Sequence, residues 1–270
     1  MLAILIYIIM LLRVIYVGIL HRKSLLSLFQ ILYTLLVCSS VLFALSSGII
    51  VIMSLSNKNN IIRQIFRVLF FMAATSGLYL FCWQLYCKLV FVFAGTIHEI
   101  SKRPKVIIVS SLVVMLIWII LGATLLPFSL LWGLIVSTIM LIIYNGISIY
   151  MITLFIKKLF KCVKTFDGND DKFIRTIVVT IITSITAYSS SFIFESICVA
   201  IVLFTKHEQF GYLWINIDGI FTVLSVYFQY NFAYNDYLKC CKPCHNWVSN
   251  QLQITKRKAS NVEVNKVNSV

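Results

Sequence analysis

The feature that most constrains this chain is a series of apolar stretches, each of about 20 residues or more, joined by short polar connectors. About 20 residues of α-helix cross the roughly 30 Å of hydrocarbon in a bilayer. Of the 270 residues, 60% are hydrophobic and only 12% are charged. Soluble domains contain about 45–50% apolar and about 25% charged residues. The sequence therefore predicts an all-α, polytopic membrane helix bundle.

Seven stretches are long enough to be transmembrane helices. A tight turn at Pro127 separates the fourth from the fifth, because proline disfavours helix at the preceding residue and removes a backbone donor. We expect a seven-helix transmembrane domain over 1–234 and a basic, Cys-containing, largely disordered cytoplasmic tail over 235–270. The predicted spans lie at about 1–20, 25–54, 64–97, 106–126, 128–156, 176–204 and 212–234.

The distribution of basic residues predicts the orientation of this bundle. The odd-numbered connectors and the tail carry 17 Lys and Arg residues, whereas the even-numbered connectors carry four. Short loops that are rich in Lys and Arg stay in the cytoplasm. We therefore expect the N-terminus outside and the C-terminus in the cytoplasm, in the plasma membrane or an endomembrane. The net charge of +14 then reflects topology and anionic inner-leaflet lipids, and nucleic acid is not an expected partner.

Two carboxylates lie within predicted spans, where ionisable groups are costly and by default indicate function. Glu195 of the sixth span and Asp218 of the seventh are both expected in the outer half of the membrane, with Asn216 beside Asp218. These three residues are candidates for binding an unknown small ligand, a cation or an amine. Alternatively, each acid is protonated or hydrogen-bonded to serines 189–191 or to Asn216 as a packing element. Arg13 and Lys88 are expected nearer the inner interface, where long side chains reach the headgroups.

The fifth connector begins with lysines at helical spacing, which predicts a basic face on an extension of the fifth span. Two partners fit this face, namely anionic lipids of the inner leaflet and a cytoplasmic signalling protein. The residues concerned are Lys157, Lys158, Lys161 and Lys164.

The start of the tail clusters thiols among basic residues at Cys240, Cys241 and Cys244. Such a cluster just past a last helix is a candidate for reversible palmitoylation. Unmodified thiols, or a metal or haem attached through Cys-x-x-Cys-His, are the alternatives. We predict no metal site and no cofactor, because a zinc site needs four ligands and only these lie nearby.

Seven spans with an external N-terminus, a basic third internal loop and a cysteine-bearing tail resemble the G-protein-coupled receptors in topology. The motifs of the large rhodopsin-like group are absent, because the third span ends Ala94-Gly95-Thr96-Ile97-His98-Glu99-Ile100 and the seventh ends Gln229-Tyr230-Asn231-Phe232-Ala233-Tyr234. The resemblance implies receptor-like signal transduction. Enzyme activity is not expected, because an intramembrane hydrolase needs a nucleophile with a buried base or a metal cluster, and the four His residues lie in loops and the tail. A small ion or solute transporter or channel, and a non-signalling membrane scaffold, are the alternatives. A transporter needs polar groups that continue to the inner face, whereas a receptor pocket can be closed below.

Overall fold

A computed structural model describes residues 2–20, 28–56, 60–94, 99–126, 130–165, 171–205, 208–230 and 233–267 of the chain. Within these ranges the chain forms eight α-helices and no strand. The helices are α1 (Leu2–Leu20), α2 (Leu28–Ser56), α3 (Asn60–Phe93), α4 (Lys102–Leu125), α5 (Leu130–Thr165), α6 (Asp171–Thr205), α7 (Glu208–Phe228) and α8 (Tyr234–Val267).

Among the described residues, 4 stretches are long and apolar enough to cross a membrane, namely Gln30–Met53, Gln64–Phe93, Lys102–Leu125 and Thr138–Lys158. Shorter apolar stretches, Val178–Phe194 and Trp214–Phe228, lie in α6 and α7. Many large apolar side chains also point outward, for example Ile52, Phe91 and Ile142. So much exposed apolar surface suits a lipid environment rather than water. The chain is therefore a helical protein of the membrane type, as its composition predicts.

Helices α2 and α3, which follow one another in sequence, pack antiparallel. The hydroxyl of Ser39 in α2 donates to the carbonyl of Ala73 in α3 at 2.7 Å, and Phe43 stacks on Phe70 with ring centroids 4.5 Å apart. Residue numbers thus rise in α2 as they fall in α3. The Pro127 turn lies outside the described residues, but Gly122 of α4 lies against Val136 of α5. The fourth and fifth predicted spans are therefore two separate helices, which form a hairpin.

The first and seventh helices run in the same direction. Tyr7 of α1 lies beside Asn216 of α7, and Arg13 lies over the ring of Tyr227 at 5.7 Å from its centroid. Two parallel helices are separated by an even number of reversals or by a long crossover, and six reversals bring α7 back to the direction of α1. The result is an up-and-down bundle in which α7 contacts α1, α2 and α6.

The segment after α7 differs from the prediction of a largely disordered tail, because residues 234–267 form α8. The polar composition of this segment suggested disorder, but one face of α8 packs against α5, α6 and α7. Tyr237 is fully buried on that face, and Val248 packs against the hydrophobic core. A few well-placed side chains therefore dock a helix whose overall composition is polar.

Candidate functional site

Asp218 lies in the interior of the bundle, on the side of α7 that faces α6. Its side chain is 4% exposed. The hydroxyl of Ser191 in α6 lies 2.9 Å from Oδ1 and 3.1 Å from Oδ2, and the hydroxyl of Ser190 lies 3.4 Å from Oδ1. Because Ser190 and Ser191 are adjacent on one helix, both can reach the carboxyl group from the same turn.

In a membrane-spanning α7, the two serines would not offset the cost of placing an acid there. An Asp at the centre of a membrane helix costs about 2.5–3.5 kcal/mol, whereas a hydrogen bond between membrane helices contributes about 0.6 kcal/mol on average. Apolar residues would pack this interface at lower cost. The Ser190 and Ser191 contacts are those of the packing alternative, and the cost of the buried carboxyl group makes Asp218 a candidate functional group as well.

Asn216 is close to Asp218 in sequence but faces other helices. Its Nδ2 donates to the hydroxyl of Ser47 in α2 at 3.0 Å, and its backbone carbonyl accepts from the hydroxyl of Tyr7 in α1 at 3.4 Å. Two residues along an α-helix point about 200° apart, so Asn216 and Asp218 do not share one pocket. Asn216 instead joins α7 to α1 and α2.

Polar residues continue from Asp218 along one face of α7. Asp218, Thr222 and Ser225 are all buried, and Gln229 follows at the end of the helix. The spacing of four, three and four residues places them on one face of the helix. This face, residues 218, 222, 225 and 229, is called the polar face of α7 below. It extends the candidate site from Asp218 to the opposite end of the helix.

The neighbouring helices supply further buried polar groups at these levels. Because α6 runs antiparallel to α7 and Ser191 pairs with Asp218, Ser184 lies near the level of Ser225. Gln84 of α3 is buried in the same interior. The remaining buried hydroxyl groups of α5 and α6 at these levels belong to Ser148, Thr180 and Thr183.

Several of these polar atoms have no hydrogen-bond partner in the described part of the protein. They are both amide atoms of Gln84, the hydroxyl of Ser184 and the hydroxyl of Thr222. Buried polar groups in proteins are nearly always hydrogen-bonded, to protein or to ordered water. A cavity of about 10 Å³ lies between α3, α5 and α6 beside Leu85 and Ser184. That volume is close to the smallest that holds one water molecule.

At Gln229, the polar face of α7 contacts a basic residue of another helix. The amine of Lys88 in α3 donates to Oε1 of Gln229 and lies over the ring of Tyr230, 5.9 Å from its centroid. Tyr230 in turn makes an edge contact with Tyr33 of α2, with centroids 5.5 Å apart. The predicted position of Lys88 near one end of the bundle agrees with these contacts, but its amine turns toward α7.

The end of the bundle that carries Lys88 also carries the contact between α1 and α8. Arg13 Nη1 lies 2.9 Å from Asp236 Oδ2, and the hydroxyl of Tyr227 donates to the same carboxyl oxygen at 3.0 Å. Three helices, α1, α7 and α8, meet at this ion pair. An arginine inside a predicted span thus has a carboxylate partner from the segment that follows the bundle.

The remaining predicted site residues either lie on the surface of the bundle or have side chains that the structure does not describe. Glu195 is part of α6, but its side chain and that of Lys164 lie outside the described ones. Lys157 and Lys161 are exposed, and Lys158 Nζ donates to the carbonyl oxygen of Glu99 at 3.1 Å. The predicted basic face of α5 is thus accessible at 157 and 161.

The three tail cysteines occupy two environments on α8. Cys240 and Cys244 are exposed, whereas Cys241 is half-buried toward the bundle. Burial raises the pKa of the Cys241 thiol, and the neighbouring thiols of Cys240 and Cys244 raise it further. Among the residues that the structure describes, no three His, Cys, Asp or Glu side chains are grouped as metal ligands.

Sequence reasoning identified Asp218 but missed Thr222, Ser225 and Ser184 as parts of the same site. The signal for them is a polar residue every three or four positions in otherwise apolar helices. Comparison with known proteins adds no relative to this description, since no family model, curated protein or solved structure matches the chain.

Proposed function

We propose that the chain is a seven-span membrane protein that moves small ions through the interior of its helix bundle. In this proposal all of α1 to α7 cross the membrane, with the N-terminus outside and α8 in the cytoplasm. The charge asymmetry of the connectors supports that orientation. The parallel course of α1 and α7 supports an odd number of spans.

The single observation that carries the transport proposal is the polar face of α7. A closed receptor pocket needs polar groups only near its ligand, whereas an ion path needs them along its whole length. Asp218, Thr222 and Ser225 are buried in sequence along α7, and Gln229 then contacts Lys88. Intramembrane acidic and basic groups connected in this way are typical of ion pathways and proton relays.

Receptor-like signal transduction is the second candidate, and a different observation favours it. The Arg13–Asp236 pair and the Tyr227 hydroxyl connect α7 to α8. A change at Asp218 that moved α7 would therefore also move a helix on the cytoplasmic side. A non-signalling scaffold is the third candidate, and the cost of a buried Asp218 speaks against it.

Two features of the cytoplasmic side belong to either function. We propose that the exposed lysines of α5, Lys157 and Lys161, contact anionic lipids of the inner leaflet, at about 1 kcal/mol per charge. We also propose that Cys240 and Cys244 are palmitoylated. Two acyl chains would hold α8 at the membrane surface.

Purified protein in liposomes separates the two functions. Transport predicts movement of at least one of H⁺, Na⁺, K⁺ or Cl⁻ down an imposed gradient, above the rate of protein-free liposomes. Receptor function predicts nucleotide exchange on an added G protein and no ion movement. Exchange without ion flux would contradict the transport proposal.

A further inference from the structure

We infer that the ion is a proton, which passes between the carboxyl group of Asp218 and the amine of Lys88 through hydroxyl groups and the water molecules between them. This inference rests on the proposed ion path and names its cargo. It follows from the spacing of the polar face of α7, from the unpaired polar atoms beside it and from the charges at its two ends.

The spacing of the polar face suits a hydrogen-bonded chain. Successive members are three or four residues apart, which is about 4.5–6 Å along an α-helix. One water molecule with a hydrogen bond of about 2.8 Å on each side spans about 5.6 Å. About three waters would therefore connect Asp218 to Gln229 through Thr222 and Ser225.

Unpaired polar atoms supply hydrogen-bond partners for such waters. The Thr222 hydroxyl is one turn from Asp218 and has no hydrogen-bond partner in the described part of the protein. The Ser184 hydroxyl and both amide atoms of Gln84 likewise have no partner among the described residues. Hydroxyl groups donate and accept hydrogen bonds, as does water. Each hydroxyl group can therefore take a proton on one side and release one on the other.

The two ends of the path distinguish a proton from a metal ion. Lys88 contacts an amide oxygen of Gln229 and the ring of Tyr230, so in its protonated form it opposes the entry of Na⁺ or K⁺. In its neutral form the same amine accepts a proton. At the other end, the two carboxyl oxygens of Asp218 and the hydroxyls of Ser190 and Ser191 give four oxygen atoms, fewer than the six or more oxygen ligands that a hard metal ion such as Ca²⁺ takes.

The proposed transfer is balanced in atoms and charge. The O–H bond of the Asp218 carboxyl breaks, each hydroxyl or water along the chain gains one hydrogen and releases another, and the last water gives its proton to the neutral amine of Lys88, where an N–H bond forms. Gln229 Oε1 carries no proton and only orients that amine by accepting from it. Release of that proton to the inner solution and uptake of another at Asp218 restore the starting state. The imposed gradient supplies the driving force, so no oxidant or other reactant is needed.

The test measures proton, Na⁺ and K⁺ flux in liposomes that contain the full-length protein. Trapped dyes report each ion, and valinomycin with K⁺ sets the membrane potential in the proton assay. Thr222→Val keeps the shape of the side chain but removes the hydroxyl. We expect it to lower proton flux at least tenfold, and we expect Thr222→Ser to retain flux. Thr186→Val is the matched control, because the exposed Thr186 hydroxyl bonds to the carbonyl of Ile182 in its own helix at 2.8 Å.

Each outcome decides the inference. Proton flux that is lost in Thr222→Val and Lys88→Met but kept in Thr222→Ser and Thr186→Val supports it. Flux of Na⁺ or K⁺ without proton flux would overturn the proton inference and leave the ion path in place. Equal proton flux in the Thr222→Val and Thr186→Val variants would also overturn it. No flux of any ion in the wild type would overturn both the inference and the proposed function.

Discussion

Arg13 in α1 and Asp236 in α8 form an ion pair of 2.9 Å, although more than 200 residues separate them in sequence. Tyr227 of α7 donates to the same carboxyl oxygen at 3.0 Å. The pair therefore joins the first helix, the last helix of the bundle and the helix that follows it. It also accounts for a charged residue in the most N-terminal apolar stretch.

Removal of either partner should weaken the attachment of α8. The side chains of Arg13 and Asp236 are 51% and 28% exposed, so solvent and headgroups screen the pair. We expect a coupling free energy of about 0.5–1 kcal/mol, the upper range for exposed ion pairs. A double-mutant cycle of Arg13→Gln and Asp236→Asn in detergent unfolding measures it. Lys242→Gln removes an exposed charge from α8 as a control, and strictly additive effects of the two variants would contradict the pairing.

The sequence could not predict this contact, because Asp236 lies in a segment whose composition indicated disorder. Docking of α8 depends on Tyr237 and Val248, which reach the core from one face of a mostly polar helix. By contrast, the long apolar runs predicted the existence of the first seven helices. That prediction needs only the length and composition of each run, whereas the docking of α8 depends on tertiary packing.

A methyl group at Gly122 should disrupt the packing of α4. A Cβ there would clash with the ring of Phe71 and would lie 2.8 Å from a methyl group of Val136. Overpacking of this kind costs about 1–3 kcal/mol. We expect Gly122→Ala to lower the unfolding temperature in detergent. Gly146→Ala is the matched control, because nothing lies within 4 Å of a Cβ at that position, and an equal effect of both variants would contradict the account.

The docking of α8 should weaken in acid through His245. Its Nδ1 lies 3.3 Å from the hydroxyl of Tyr237. Burial, and then the positive charge of Arg175, lower the pKa of His245 below its usual 6.5. Below about pH 6.5 the released helix therefore binds a proton that the docked helix does not, so docking loses stability as the pH falls.

Hydrogen exchange of the α8 amides, corrected for the intrinsic effect of pH, measures this change. We expect faster exchange at about pH 5.5 than at about pH 7.5. The His245→Gln variant should show much less difference between the two values. A wild type without a pH-dependent difference would be inconsistent with the position of His245 in the interface.

Acylation should distinguish the three tail cysteines. Cys240 and Cys244 are exposed, whereas burial raises the pKa of Cys241 and so lowers its thiolate fraction. Because the thiolate is the nucleophile, we expect Cys240 and Cys244 to carry most of any palmitate. Hydroxylamine-sensitive labelling of protein from cells should fall strongly in a Cys240→Ser, Cys244→Ser double variant and little in Cys241→Ser. The reverse order would contradict the orientation of α8.

The candidate site was predictable in part. Asp218 is evident in the sequence as an acid within an apolar stretch, and the serines at 190 and 191 are evident as its alternatives for hydrogen bonding. The residues that continue the site beyond Asp218 are not evident in the sequence, because single Ser and Thr residues are common in membrane helices. Only the packing of α7 against its neighbours shows that Thr222 and Ser225 are buried.

The proposed ion path depends most directly on the carboxyl group of Asp218. The deciding measurement is proton flux into liposomes that contain equal amounts of folded wild-type, Asp218→Asn or Asp218→Glu protein. We predict at least a tenfold loss of flux in Asp218→Asn, because the amide that replaces the carboxyl group has no acid proton to release. We predict measurable flux in Asp218→Glu. Wild-type flux in Asp218→Asn would contradict the account.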